Sequence, residues 1–586
     1  MRRTISFALL LAILILAFAS CGKKEDVAFV TTAATAEAAK TTGQTEPSPT
    51  GTTAAQTTAE PTTVATTTDP WESIGTEVSA FSESDRSFRI ELSEYSNAEK
   101  TSKNDQYVVG PDSIEGGMVP TLERLVYERN QAAKELLGVQ IDYVYWDYRW
   151  GKQTGQIKSV VQGQAADAPD LFVNMIYDLN NALLFSSFKD AWSIPGSYFD
   201  FEKQGWMTEW MESMSVTHDR NYILAGDYFV DVLRAMAVLP FNLTMMDANA
   251  DQLAAFILES GQSMTEGEKL SEYFFDFVDD GKWTWPVLGQ LCEAIWVDTD
   301  GDGADSIGDT LGIIGDISSK LSSAIYLYSC GEKGIFNEYI IEDPTSEYNN
   351  ETWVAFPADS SALGRIFDSV SAVYIGKGSL ATAGGYEGAT TANPGIAYHR
   401  IKFAEGTLLT AGACVLGALE DDAFQTMRDM YSVVPLPKLS EDRDYNTLIH
   451  NIGDAGAINV NTTKAVVLSA FLQYSNEHSA EIRDEFLEVV TKYKTTRYNQ
   501  GTDRMLTLIY DSVITGRDKM IEDAVASSGS NIGNYKWHSI LDAEYYTTTS
   551  ADLVELYQSA VAVKQDQLNR VLTAWYSLPK VEANAE

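Results

Sequence analysis

Asp298, Asp300 and Asp302 stand at positions one, three and five of a twelve-residue run that Asp309 closes, with Gly303 at position six. That spacing suits a hard divalent cation such as Ca2+, which takes roughly six to eight oxygen ligands and needs a sharp turn at the sixth residue. The Ala304 carbonyl would be the position-seven ligand, and Ser306 would bind directly or through water. Glu usually closes such a loop; the shorter Asp309 leaves the coordination looser. Asp305 brings the carboxylates in these twelve residues to five, and they repel one another unless a cation sits among them. The alternative is a solvated acidic turn. No catalytic partner is near in sequence, so the expected role of calcium is structural.

A second set of polar and aromatic residues falls at the ends of expected strands. Asn174, Tyr177 and Asp178 follow the apolar run Leu171-Phe172-Val173, and Asp227 precedes the run Ala237–Asn242. Tyr386 follows Gly384 and Gly385, and Asp454 opens another short apolar stretch. Flat aromatics beside carboxylates and amides suit a sugar, whose faces are apolar and whose edges are hydroxyls. Trp283 and Trp285 are further candidate platforms, although packing at a helix start competes for both. Most of the 12 Trp and 29 Tyr must serve the core or the surface. A glycoside hydrolase would need two carboxylates facing each other across a cleft, and no motif singles out a pair. The 5 histidines show no HExxH spacing, and no Gly-x-Ser-x-Gly elbow occurs.

The elements that must position these residues alternate between helix and strand. Leu122, Leu125, Val126, Ala133, Leu136 and Leu137 recur at helical spacing and Gly138 ends the run. Val139, Ile141, Tyr143 and Tyr145 then alternate as a strand. Ile157, Val160 and Val161 indicate another helix before the Leu171 strand. Strand, helix, strand in that order implies a parallel sheet covered by helices. From Ala465 onward the pattern is mostly helical, and no internal repeat is seen.

The N-terminal residues read as an export signal: Arg2 and Arg3, the apolar run from Ile5 to Phe18, then Ala19, Ser20 and Cys21. The run is too short for a comfortable span of ~20 residues. The Thr-, Ala- and Pro-rich stretch that follows cannot bury enough apolar surface to order itself. As a random coil, residues 22–84 would span roughly 45 Å. About 500 residues remain, too many for one core and suited to two lobes. A net charge of −41 argues against nucleic acid as a partner. Beyond Cys21, the odd set Cys292, Cys330 and Cys414 lacks metal-ligand spacing and reads as buried free thiols.

Several segments carry a resemblance. Cys21 after Ala19 and Ser20 resembles the lipobox of bacterial lipoproteins, with Phe18 in place of the usual Leu. The Asp-closed loop at 298–309 resembles the dockerin-type calcium loop. Gly281-Lys282-Trp283-Thr284-Trp285, Phe403-Ala404-Glu405-Gly406-Thr407-Leu408-Leu409, Tyr431-Ser432-Val433-Val434-Pro435-Leu436-Pro437-Lys438 and Asp454-Ala455-Gly456-Ala457-Ile458 resemble, in order and spacing, segments of family 1 extracellular solute-binding proteins. In the second of these, Leu408 stands where the family usually has Ala.

The resemblance implies an α/β, two-lobe periplasmic-binding-protein-like (type II) fold with a hinge and an interlobe cleft. It implies a lipoprotein signal over residues 1–20, a lipidated Cys21 and tether over 21–85, and a bilobal domain over 86–580. Lobe 1 would take about 86–240 and part of 395–460, and lobe 2 about 241–394 and 461–580. The implied function is capture of a mono- or oligosaccharide for the permease subunits of an ABC importer. The protein would be monomeric, not an enzyme, and held by its lipid on the outer face of the cell membrane. A peptide ligand is the main alternative, and an anchored glycoside hydrolase a more distant one.

Overall fold

The computed structural model describes residues 69–94, 103–114, 120–147, 152–215, 219–316, 329–330, 337–356, 361–382, 398–412, 414–492, 500–513 and 550–578. The export signal, Cys21, most of the tether and Tyr386 lie outside the described residues. The chain divides into two units at Thr67/Thr68, and all the described residues fall in the second. None of their helices is long and apolar enough to cross a membrane.

The second unit is mixed α/β and is built on two separate sheets. A helix α1 (Pro70–Ser79) precedes strand β1 (Ser87–Glu94), helix α2 (Thr121–Leu137) and strand β2 (Gln140–Asp147). Helix α3 (Gln153–Gly163), strand β3 (Leu171–Met175) and helix α4 (Ile176–Leu183) follow. Helix α2 has the expected extent, and Gly138 ends it in the left-handed region at φ 61°, where a residue without a β-carbon avoids strain. Strand β1 runs parallel to both β2 and β3, pairing Ile90 with Tyr143 and with Leu171. Phe88, Ile90 and Leu92 alternate into the core beneath the sheet and are almost fully buried.

The chain next crosses to the second sheet through helix α5 (Val230–Arg234) and strand β4 (Ala237–Asn242). Helices α6 (Leu270–Asp279) and α7 (Trp285–Ile295) lead to strand β5 (Leu311–Asp316). A hairpin of β6 (Asn337–Ile340) and β7 (Thr352–Ala355) forms its own small sheet. Helix α8 (Ser361–Tyr374) and strands β8 (Ser379–Thr382), β9 (Leu408–Thr410), β10 (Cys414–Val415) and β11 (Tyr431–Val434) follow. The second sheet runs β10-β4-β9-β5-β8, with β11 also paired to β4.

The chain then returns to the first sheet. Strand β12 (Asp454–Ile458) lies antiparallel beside β3, completing the order β12-β3-β1-β2. Helices α9 (Ala465–Glu477) and α10 (Ala480–Lys492) pack on α2, while α11 (Gln500–Asp511) packs on β11 and α6. Helix α12 (Ser550–Tyr576) packs on α8 and β7. Strands β4 and β9 to β11 belong to the second sheet, whereas α9 and α10 pack on α2, which lies between β1 and β2 in the chain. Cys292, Cys330 and Cys414 are free and buried.

Two of the recurrent segments meet in the core. The Lys438 N–H donates to the Trp283 carbonyl and the Trp285 N–H to the Lys438 carbonyl, each at 3.0 Å. The Trp283 indole N–H donates to the Pro435 carbonyl at 2.9 Å, and its ring packs edge-on to Phe241 and Phe274. Both tryptophans are fully buried. They hold the start of α7 against the segment after β11, and neither presents a face to a ligand.

Candidate functional site

Antiparallel pairing of β12 with β3 puts Asp454 opposite Met175, so the start of one strand lies at the carboxyl end of the other. Asn174 and Asp178 flank that point, on β3 and in the first turn of α4. Parallel pairing brings the end of β1 alongside. The result is a buried polar cluster of Glu91, Ser93, Asn174, Asp178 and Asp454, each at most 2% exposed. Carboxyl ends of strands are where loops of α/β sheets converge on ligands.

Each side chain in the cluster is held. The Asn174 amide donates to both Glu91 carboxylate oxygens at 3.2 Å, while its own oxygen accepts from the Met175 N–H at 2.9 Å. Asp454 accepts from the Ser93 hydroxyl at 3.0 Å and the Asn104 amide at 2.7 Å. Asp178 accepts from the Thr154 N–H at 2.8 Å and the Thr154 hydroxyl at 2.6 Å. Burial pushes the Glu91 carboxyl well above the ordinary carboxylate range; Asn174 opposes the shift, and the Asp454 and Asp178 charges add to it.

Further charged groups link the cluster to the other sheet. The Asp454 N–H lies 3.4 Å from an Asp231 oxygen. Arg234 bonds Asp231 and forks onto Glu420 at 2.9 and 3.1 Å. Glu420 ends the turn after β10, and Lys103 stands 3.9 Å from it. The planar fork of Arg234 thus joins the crossing helix α5 to the second sheet.

Aromatic surface adjoins the cluster. Tyr177, beside Asp178, is half-buried, and its N–H donates to the Asn451 carbonyl at 2.9 Å. Tyr145, on β2, is 42% exposed and donates its hydroxyl to Asp105 at 2.5 Å. Half-buried Trp146 rests on Phe172 with ring centroids 5.9 Å apart.

Of the ligand residues expected from sequence, the structure brings Asn174, Asp178 and Asp454 together, with Tyr177 next to them. Asp227 lies elsewhere and is a correction: fully buried, it pairs with Arg483 at 2.9 Å and accepts from Tyr510 at 3.4 Å. Burial pushes its carboxyl up to about 6, against the pull of Arg483. That pair ties the 226–228 turn to α10 and α11. Trp283 and Trp285 take the helix-start packing role that competed with a platform role. Sequence reasoning missed Glu91, Ser93 and Asn104. A charged residue inside the alternating run Ser87–Glu94 was the available signal for the first.

The acidic loop folds back on itself. Asp298, Asp300 and Asp302 each bring one carboxylate oxygen within 4.8 Å of the others. Asp298 accepts from the Gly301 and Gly303 N–H groups at 2.6 and 2.8 Å, and Gly301 and Gly303 both have positive φ. Asp309 is 1% exposed and accepts from the Thr299 and Ser306 N–H groups at 2.8 and 2.7 Å. Those bonds, led by Thr299, hold its carboxyl below the usual range. Asp305 turns away to the Gly378 N–H at 3.2 Å and Lys377 at 3.5 Å. The converging carboxylate donors fit a hard cation, with Ala304 and Ser306 next in the loop.

No family model and no curated protein matches the chain. Solved structures do. A family 1 extracellular solute-binding protein from Alicyclobacillus acidocaldarius is 10% identical, covering 82% of this chain and 98% of that one, with a TM-score of 0.43. The galacto-N-biose/lacto-N-biose I-binding protein of an ABC transporter from Bifidobacterium longum is 12% identical, covering 84% and 98%, with a TM-score of 0.43. A maltose/maltodextrin-binding domain from Bdellovibrio bacteriovorus is 12% identical, covering 84% and 98%, with a TM-score of 0.39. In structure the chain is similar to extracellular solute-binding proteins of family 1.

Proposed function

We propose that this chain is an extracellular solute-binding lipoprotein that captures a mono- or oligosaccharide and delivers it to the permease subunits of an ABC importer. The observation that carries the reading is the meeting of Asn174, Asp178 and Asp454 where the first sheet ends and the chain crosses to the second. Buried, pre-bonded carboxylates and amides hold outer side chains in fixed directions, and Tyr177 and Tyr145 supply flat surface for a sugar ring. The chain crosses between the sheets in both directions, the two crossings bonded where the His450 N–H donates to the Ala235 carbonyl at 2.9 Å, and they would provide a hinge about which the two sheets close on a ligand. Lipidation at Cys21 and a long tether would keep the binder beside its transporter.

Calcium is the second element of the proposal. Asp298, Asp300, Asp302, the Ala304 carbonyl, Ser306 and Asp309 would hold it, and its part would be to screen the loop's charges and stiffen the turn before β5. The test of the main reading is a thermal-shift screen of the full chain against mono- and oligosaccharides, with short peptides alongside. A selective sugar response is expected. A response to peptides alone, or to no sugar, would overturn the assignment.

A further inference from the structure

The described part of the chain starts with a short helix whose packing is local and specific. Asp69 caps α1 by accepting from the Trp71 N–H at 3.0 Å, and Pro70 pre-sets the first turn. One side of the helix is buried: Trp71 at 7%, Gly75, and Val78 at 0%. It packs on α2 and α9. At Gly75 the approach is so close that a β-carbon would stand 2.7 Å from the Leu136 carbonyl oxygen of α2.

Polar groups fix the seat at both ends. The Trp71 indole N–H donates to Glu477 at 3.1 Å, and its ring meets Tyr474 edge-on at 5.0 Å. Glu477 also accepts from the Gln473 amide at 2.7 Å, and Gln473 in turn accepts from the Trp206 indole at 3.0 Å and the Asp200 N–H at 2.9 Å. The Tyr198 hydroxyl donates to Glu77 at 3.1 Å. Trp206, Asp200 and Tyr198 all belong to the segment between α4 and α5.

We propose that Pro70–Ser79 is a docking strap: a separately releasable helix, ordered by its seat on α2 and α9. A helix of this length is marginal in water by itself, so its order depends on the seat. This inference concerns the seat alone and stands or falls apart from the sugar reading.

The experiment is native-state hydrogen exchange on the full chain, comparing the wild type with Gly75→Leu and Trp71→Phe. In the wild type the amides of residues 74–79 are expected to exchange about a hundredfold more slowly than in an unstructured peptide. In Gly75→Leu that protection is expected to vanish while amides of β1 and β3 stay within about twofold of wild type. Trp71→Phe keeps an aromatic ring but removes the indole N–H and part of the buried surface, so partial loss is expected. Unprotected amides at 74–79 in the wild type would overturn the proposal, as would full protection in Gly75→Leu. Joint loss of protection in β1 and β3 would overturn it too, by making α1 an integral part of the core.

Discussion

The Asn174 amide stands 3.2 Å from both carboxylate oxygens of Glu91, in a cluster that also holds Asp178 and Asp454. One neutral amide therefore meets the carboxyl that burial and two neighbouring carboxylates have pushed upward. Asn174→Asp would set another acid against Glu91 and remove its donor. Stability at neutral pH is expected to fall by about 2–4 kcal/mol, through an uncompensated buried charge. The loss is expected to shrink as the pH is lowered, because protonating either acid restores a donor. Urea midpoints of variant and wild type at pH 5 and pH 8 check both statements.

How far the sequence shows this site depends on the kind of information needed. Helix α2 and its Gly138 stop were legible because helical periodicity and a left-handed glycine are local properties. Strands β2, β3 and β4 were legible for the same reason. Asn174, Asp178 and Asp454 were legible as residues at strand ends, but their meeting was not: it depends on β12 returning antiparallel to β3 across about 280 residues. The burial of Asp227 and the two tryptophans was not legible, because turn position and ring type say nothing about burial. Arg483, which claims Asp227, lies 256 residues away.

Asp227 has its own pH signature. Its carboxyl in the fold titrates at about 6, above the ordinary Asp value of 3.8. Between those values the folded state holds the proton more tightly, so this group's contribution favours folding below the window and is lost as the pH rises through it. Its size is on the order of 3 kcal/mol. Asp227→Asn is expected to flatten the unfolding profile between about pH 4 and pH 6. A wild-type profile already flat there, or a variant with an unaltered slope, contradicts the assignment.

Trp283 is expected to matter for stability and not for ligand. Trp283→Ala opens a cavity beside Phe241 and Phe274 and leaves the Pro435 carbonyl without its donor, for a loss of about 3–5 kcal/mol. Affinity for a sugar, measured by calorimetry on the folded fraction, is expected to stay within about threefold of wild type. That threshold corresponds to well under 1 kcal/mol.

The calcium reading is tested by comparing melting with and without chelator. Asp302→Asn keeps an amide oxygen but removes one of three converging carboxylate charges. Its melting temperature is expected to fall further below wild type in millimolar calcium than in chelator. Equal shifts in the two conditions would leave the loop as a solvated acidic turn held by its own backbone N–H groups.

The most direct test of the central claim is calorimetric titration of the full chain with the sugar that gives the largest thermal shift, in wild type and in Asp454→Ala. At one hundred times the dissociation constant, bound sugar is expected to add about 2.7 kcal/mol to wild-type stability. Asp454 positions Ser93 and Asn104, so Asp454→Ala is expected to bind at least about tenfold more weakly, a difference of about 1.4 kcal/mol. A wild type that binds peptides and no sugar, or an Asp454→Ala variant with undiminished sugar affinity, would contradict the account.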